Sequence, residues 1–95
     1  MPFYLPMPPS LAADWSIKIY DKERLEPPHV TILRGQSKWR WCLRTKQFMD
    51  DRPRPREVPR KVVQLLKKNH RLLCQEWDKI HPTNPVHGDE DDSDR

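Results

Sequence analysis

The stretch HVTILRGQSKWRWCLR, residues 29–44, constrains the fold more than any other part of the chain. Two runs of alternating apolar and polar residues flank Gly35-Gln36, and a glycine at the first central position suits a two-residue type II′ hairpin turn. A two-residue loop fixes the register, because the residues on either side of it must face each other. Arg34 then faces Ser37, Ile32 faces Trp39, Val30 faces Trp41 and His29 faces Cys42. Val30, Ile32, Trp39, Trp41 and Leu43 fall on one side of the hairpin, while His29, Thr31, Leu33, Lys38, Arg40, Cys42 and Arg44 share the other. The first side is expected to be core. The second is a basic face with a histidine at its edge.

Around that hairpin the elements follow from periodicity. WSIKIY, residues 15–20, alternates Ile17 and Ile19 with polar neighbours and predicts a half-buried strand. The prolines at 27 and 28 belong ahead of a strand rather than within one. Residues 45–57 carry no apolar period and read as a stiff, arginine-bearing loop. From about residue 57 to residue 80, Val58, Val62, Leu65, Leu66, Leu72, Leu73, Trp77 and Ile80 recur every three or four residues, the mark of an amphipathic helix. Pro59 suits its first turn and Pro82 stops it. The expected fold is α+β: a three-stranded antiparallel sheet packed on one long C-terminal helix, in the order βββα. Residues 1–13, with four prolines, predict an irregular arm, 14–81 a single domain, and 82–95 an acidic disordered tail.

Charge narrows the function. The chain of 95 residues has 18 Lys and Arg against 14 Asp and Glu. GDEDDSDR at the end holds five of the acids. Without it, seventeen cations face nine acids, a balance of +8. Between Arg34 and Arg71 thirteen cations face only Asp50, Asp51 and Glu57. Such a bias favours anionic partners, of which nucleic acid is the commonest. Arg34, Lys38, Arg40 and Arg44, with Thr31 between them and Arg52, Arg54 and Arg56 in the loop, form the candidate surface for RNA or for a protein partner. Guanidinium groups suit phosphate through their bidentate geometry.

His29 is the candidate for chemistry, since an imidazole titrates near neutral pH. With Arg40 and Arg44 holding a phosphate, it would serve a metal-independent ribonuclease as general acid or base. Against this, no second acid or base accompanies it at Thr31. The plainer alternative is a histidine that closes the sheet edge by bonding to backbone. A Cys42–His29 dyad has no third group to support it. His29, Cys42 and Cys74 show none of the usual ligand spacings, so no metal is expected, and nothing in the chain calls for a cofactor. Two distant cysteines read as reduced thiols. The proline-broken start does not have the form of a signal peptide, and no apolar run approaches the roughly 20 residues of a membrane span. A cytoplasmic place and no membrane contact are expected. Trp39, Trp41 and Trp77 are assigned to the core, and Trp15 either to its edge or to a partner.

EPPHVTI, the glycine after it and the helix ending KKNHRLLCQEWDKI resemble a bacterial family catalogued as domain of unknown function 4160. The resemblance spans roughly residues 15–81. Pro27, Pro28, His29 and Val30 match the family's Pro-Pro-His-Val motif, and Asn69 and Trp77 match its helix. Thr31 departs from it, standing where the family usually has a second histidine. The resemblance implies a binding component of a two-protein, toxin–antitoxin-like module, whose partner is a small protein encoded nearby. A regulator that touches only that protein is the further alternative. Oligomeric state is left open.

Overall fold

The fold is that of a computed structural model, which describes residues 2–22 and 26–86. The hairpin forms as its sequence dictates. Strand β3 (His29–Arg34) pairs antiparallel with β4 (Ser37–Cys42), and the register sets Arg34 against Ser37, Ile32 against Trp39, Val30 against Trp41 and His29 against Cys42. Gly35 takes φ +57, whereas Gln36 has no positive φ, as a type II′ turn requires. Strand β2 (Ser16–Ile19) adds to the other side of β3, with Ile17 opposite Ile32 and Lys18 opposite Thr31.

The sheet has five strands rather than three. β1 (Phe3–Tyr4) pairs with β2, and β5 (Gln47–Phe48) pairs with β4, in the order β1-β2-β3-β4-β5. Two residues are too few to show a period of two, which is why neither strand stands out in the sequence. Both outer edges of the three-stranded core gain ladder partners, and that shields open N–H and C=O groups. The expected irregular arm is therefore structured. After β1 the Leu5 N–H donates to the Ile17 carbonyl at 2.9 Å, and a single helical turn, α1 (Pro9–Ala12), follows Pro8. Leu5, Leu11 and Trp15 are all buried. The prolines shape this segment without preventing its packing.

The single long helix is replaced by two, α2 (Arg60–Lys68) and α3 (His70–Ile80), after a 3₁₀ turn at Pro55–Glu57. Asn69 lies between them at φ −103, ψ 18. Its side-chain amide donates to the Leu65 carbonyl at 2.9 Å, the same oxygen that its own backbone N–H reaches. Local bonding of this kind by Asn competes with the regular helical ladder and bends it. The apolar stripe continues across the break. Val62, Leu66, Leu73 and Trp77 are fully buried against Ile17, Ile19, Val30, Ile32, Trp39 and Trp41 of the sheet.

The chain beyond Pro82 also departs from expectation as far as residue 86. The Val86 side chain is fully buried, and its N–H donates to Asp78 at 2.8 Å. Trp77 donates its indole N–H to the Asn84 carbonyl at 2.6 Å, and the Asn84 amide donates to the Glu26 carbonyl at 2.8 Å. The acidic part of the expected tail, 87–95, lies outside the described residues. Among the described residues no helix is long and apolar enough to cross a membrane.

Candidate functional site

The polar face of the sheet lies opposite the helices. Registration across three strands puts Lys18, Thr31 and Arg40 in one row. Thr31 is buried at the bottom of this face, and Lys38 is exposed beside it. Arg40 does not stand ready for a phosphate. Its Nε and one terminal nitrogen donate to the two oxygens of Asp50 at 2.9 and 2.7 Å, and the other terminal nitrogen donates to Glu26 at 2.7 Å. Those hydrogen bonds hold the Asp50 carboxyl below its usual range and raise the already high guanidinium value. Arg40 is thus the centre of an ion triad that ties β4 to the approach to β3 and to the loop after β5.

Arg44 is committed elsewhere. It donates to the Val86 and Pro85 carbonyls at 2.5 and 2.9 Å and clamps the returning chain onto the end of the sheet. Arg34, exposed at the hairpin turn, lies 5.3 Å from the centre of the Trp15 ring. Trp15 packs on Trp39 at 5.5 Å, and Trp39 donates its indole N–H to the Arg54 carbonyl at 3.0 Å. The two tryptophans thus link the hairpin turn to the backbone of the loop at Arg54. Of the eight binding residues expected from sequence, Thr31, Lys38 and Arg40 line one pocket on the sheet, whereas Arg34 at the turn, Arg44 at the end of the sheet and Arg52, Arg54 and Arg56 in the loop lie outside it.

His29 is turned inward. Alternation puts it on the polar face, but at the first position of β3 its side chain has no exposed surface. Its Nδ1–H donates to the Pro27 carbonyl at 2.8 Å, leaving Nε2 directed toward Glu26 at 3.8 Å, and its ring lies 5.6 Å from Trp77. His81, also buried, stacks on Trp77 at 4.0 Å and donates from Nε2 to the Tyr20 carbonyl at 2.7 Å. Pro27-Pro28 thus deliver His29 to a junction where the loop before β3, α3 and the 81–86 segment meet. Cys42 faces Thr45 and Arg44. Burial pushes its thiol up, but hydrogen bonds from the Thr45 hydroxyl and from backbone N–H groups, with the Arg44 charge, outweigh that and hold it below the ordinary thiol range. Cys74 is pushed up to about 11 by burial and by Asp78, despite the His70 ring nitrogen at 3.4 Å from its sulfur. Both cysteines are free, and no cluster of three metal-ligating side chains exists among the described residues.

The longest run of cations without acidic partners among the described residues lies farther along the chain. From Arg52 to Arg71 there are eight, Arg52, Arg54, Arg56, Arg60, Lys61, Lys67, Lys68 and Arg71, and one acid, Glu57. All eight are exposed, and no carboxylate among the described residues pairs with any of them. They run along the arginine loop and the solvent side of α2 into α3. Lys61 and Lys68 flank Gln64 and Leu65 in a shallow groove against Pro8, Ser10 and Leu11. The sequence marks this region by its missing acids alone. That the sheet arginines would be consumed by Glu26, Asp50 and two carbonyls has no local signature.

Comparison with protein-family models, with curated proteins and with solved structures found no match.

Proposed function

We propose that the chain is a non-catalytic binding protein for a polyanion, RNA above all, and that the arginine loop and α2 make the contact surface. One observation carries this reading: eight exposed cations from Arg52 to Arg71 that no described carboxylate neutralises. Phosphate contacts of this kind bind with little sequence preference and weaken steeply as salt rises. The inward His29 ring supports binding over cleavage, since a general acid or base must come within about 3 Å of the reacting group. The small protein partner implied by the family resemblance belongs to the same proposal and rests on the Pro27–Val30 motif.

The test is a fluorescence titration of a short labelled RNA at low salt and again near 0.15 M, with the RNA checked for cuts afterwards. Binding that falls with salt, and falls further in a Lys61→Glu/Lys68→Glu double variant, is the expected result. Each phosphate contact removed lowers the salt slope by about 1. Salt-insensitive binding, or binding unchanged in the variant, would transfer the surface to a protein partner. Cut RNA would return the ribonuclease reading with His29, Arg40 and Arg44.

A further inference from the structure

A cavity lies away from the basic helices, on the polar face of the sheet. It has a volume of about 380 Å³ and is lined by Tyr20, Asp21, Lys22, Thr31, Lys38, Arg40 and Asp50. Ligand pockets for small molecules begin at about this size. We infer that this pocket binds the phosphomonoester of a single nucleotide, with Lys22 and Lys38 on the phosphate and Tyr20 beside the base.

The pocket is built rather than incidental. Its base is the Thr31 hydroxyl residue, 3% exposed, in the middle strand of the sheet. Arg40 is immobilised by two hydrogen bonds to Asp50 and one to Glu26, so one side of the pocket has a fixed shape before any ligand arrives. Tyr20 is braced by the Lys18 ammonium, 4.2 Å from its ring centre, and Lys18 also lies 5.1 Å from the centre of the Tyr4 ring. A ring held in this way is a platform for stacking, and an aromatic face accepts any base.

Charge selects the ligand and its direction. Lys22 and Lys38 are exposed, and no carboxylate among the described residues pairs with them. The two ammonium groups match one phosphate dianion, whereas a triphosphate would bring further negative charge toward Asp21 and Asp50. Those same carboxylates accept hydrogen bonds from sugar hydroxyls and from base N–H groups. The phosphate end therefore lies at the lysines and the hydroxyl-rich end toward the acids. The same chemistry is presented by a free nucleoside monophosphate and by the 5′-phosphate end of an RNA.

The experiment is an NMR titration of the isotope-labelled full chain with adenosine 5′-monophosphate, adenosine, and a short RNA carrying either a 5′-phosphate or a 5′-hydroxyl. Saturable shifts at Tyr20, Lys22, Thr31 and Lys38 are expected with the monophosphate. They should weaken about tenfold with adenosine and about tenfold in a Lys22→Glu/Lys38→Glu variant. The Lys61→Glu/Lys68→Glu variant should leave them unchanged, which separates this pocket from the helix surface. Equal shifts from the monophosphate and the 5′-phosphorylated RNA identify the shared chemistry. A response to the monophosphate alone assigns a free nucleotide, and a response to the phosphorylated end alone assigns an RNA terminus. No saturable shift from either at millimolar concentration, equal binding of adenosine, or shifts confined to the loop and α2 would overturn the inference.

Discussion

At the scale of single residues, Arg40 behaves as a structural cation. Its bidentate pair with Asp50 is partly buried, and such geometry makes a pair worth more than a mobile surface contact, about 1 kcal/mol. Asp50→Asn should lower stability by about that amount in urea unfolding. The pH dependence has a definite sign. The folded Asp50 carboxyl titrates below its unfolded value, so its contribution is fully present above about pH 4 and is lost as pH falls through the folded value. An Asp50→Asn variant should show a shallower loss of stability in acid than the parent. At the turn, Gly35 has open space where a Cβ would stand, so Gly35→Ala meets no clash and only the cost of its positive φ, about 1 kcal/mol. An unchanged thermal midpoint would mean that residue 35 does not hold a positive φ.

At the scale of elements, the two-residue strands and the returning chain matter more than their length implies. Val86 is fully buried, and Val86→Ala should cost about 2 kcal/mol through lost apolar burial and the cavity it leaves. Truncation after Pro82 should cost more. It removes Val86 and also the carbonyls that receive Trp77 and Arg44, leaving an indole N–H inside the core without its acceptor. A truncated chain with the thermal midpoint of the full chain would show that residues 83–86 are not part of the fold. The break at Asn69 is of another kind. The side chain that bends the helix also lets α3 continue over the sheet, so Trp77 reaches both histidines of the junction.

At the scale of the whole molecule, the two faces of the sheet divide the work. The apolar face and the helices form one core into which Trp15, Trp39, Trp41 and Trp77 all pack, so their fluorescence should report unfolding in a single transition. The polar face is balanced, with Lys18, Lys22, Lys38 and Arg40 against Asp21, Glu26 and Asp50, whereas the loop and α2 are strongly one-signed. A polyanion is therefore expected to approach the helix side, and its affinity should fall with ionic strength far more than any binding to the sheet pocket.

The hairpin, its register and its apolar face were legible in residues 29–44 because turn chemistry and a period of two are local properties. The amphipathic helix was legible for the same reason, since spacing alone identifies the stripe that Val62, Leu66, Leu73 and Trp77 bury. The excess of cations was equally plain, because composition needs no fold. Which of them are available was not. Arg40 meets Glu26 from 14 residues away and Asp50 from 10, and Arg44 meets Val86 from 42, contacts that exist only once the chain has folded back. His29 shows the same limit. Alternation placed it on the polar face, but packing against Trp77 and the approach through Pro27 and Pro28 turned its ring inward. Local pattern determined the elements and the faces of the sheet. Tertiary packing decided which charges were consumed in holding those elements together and which were left exposed.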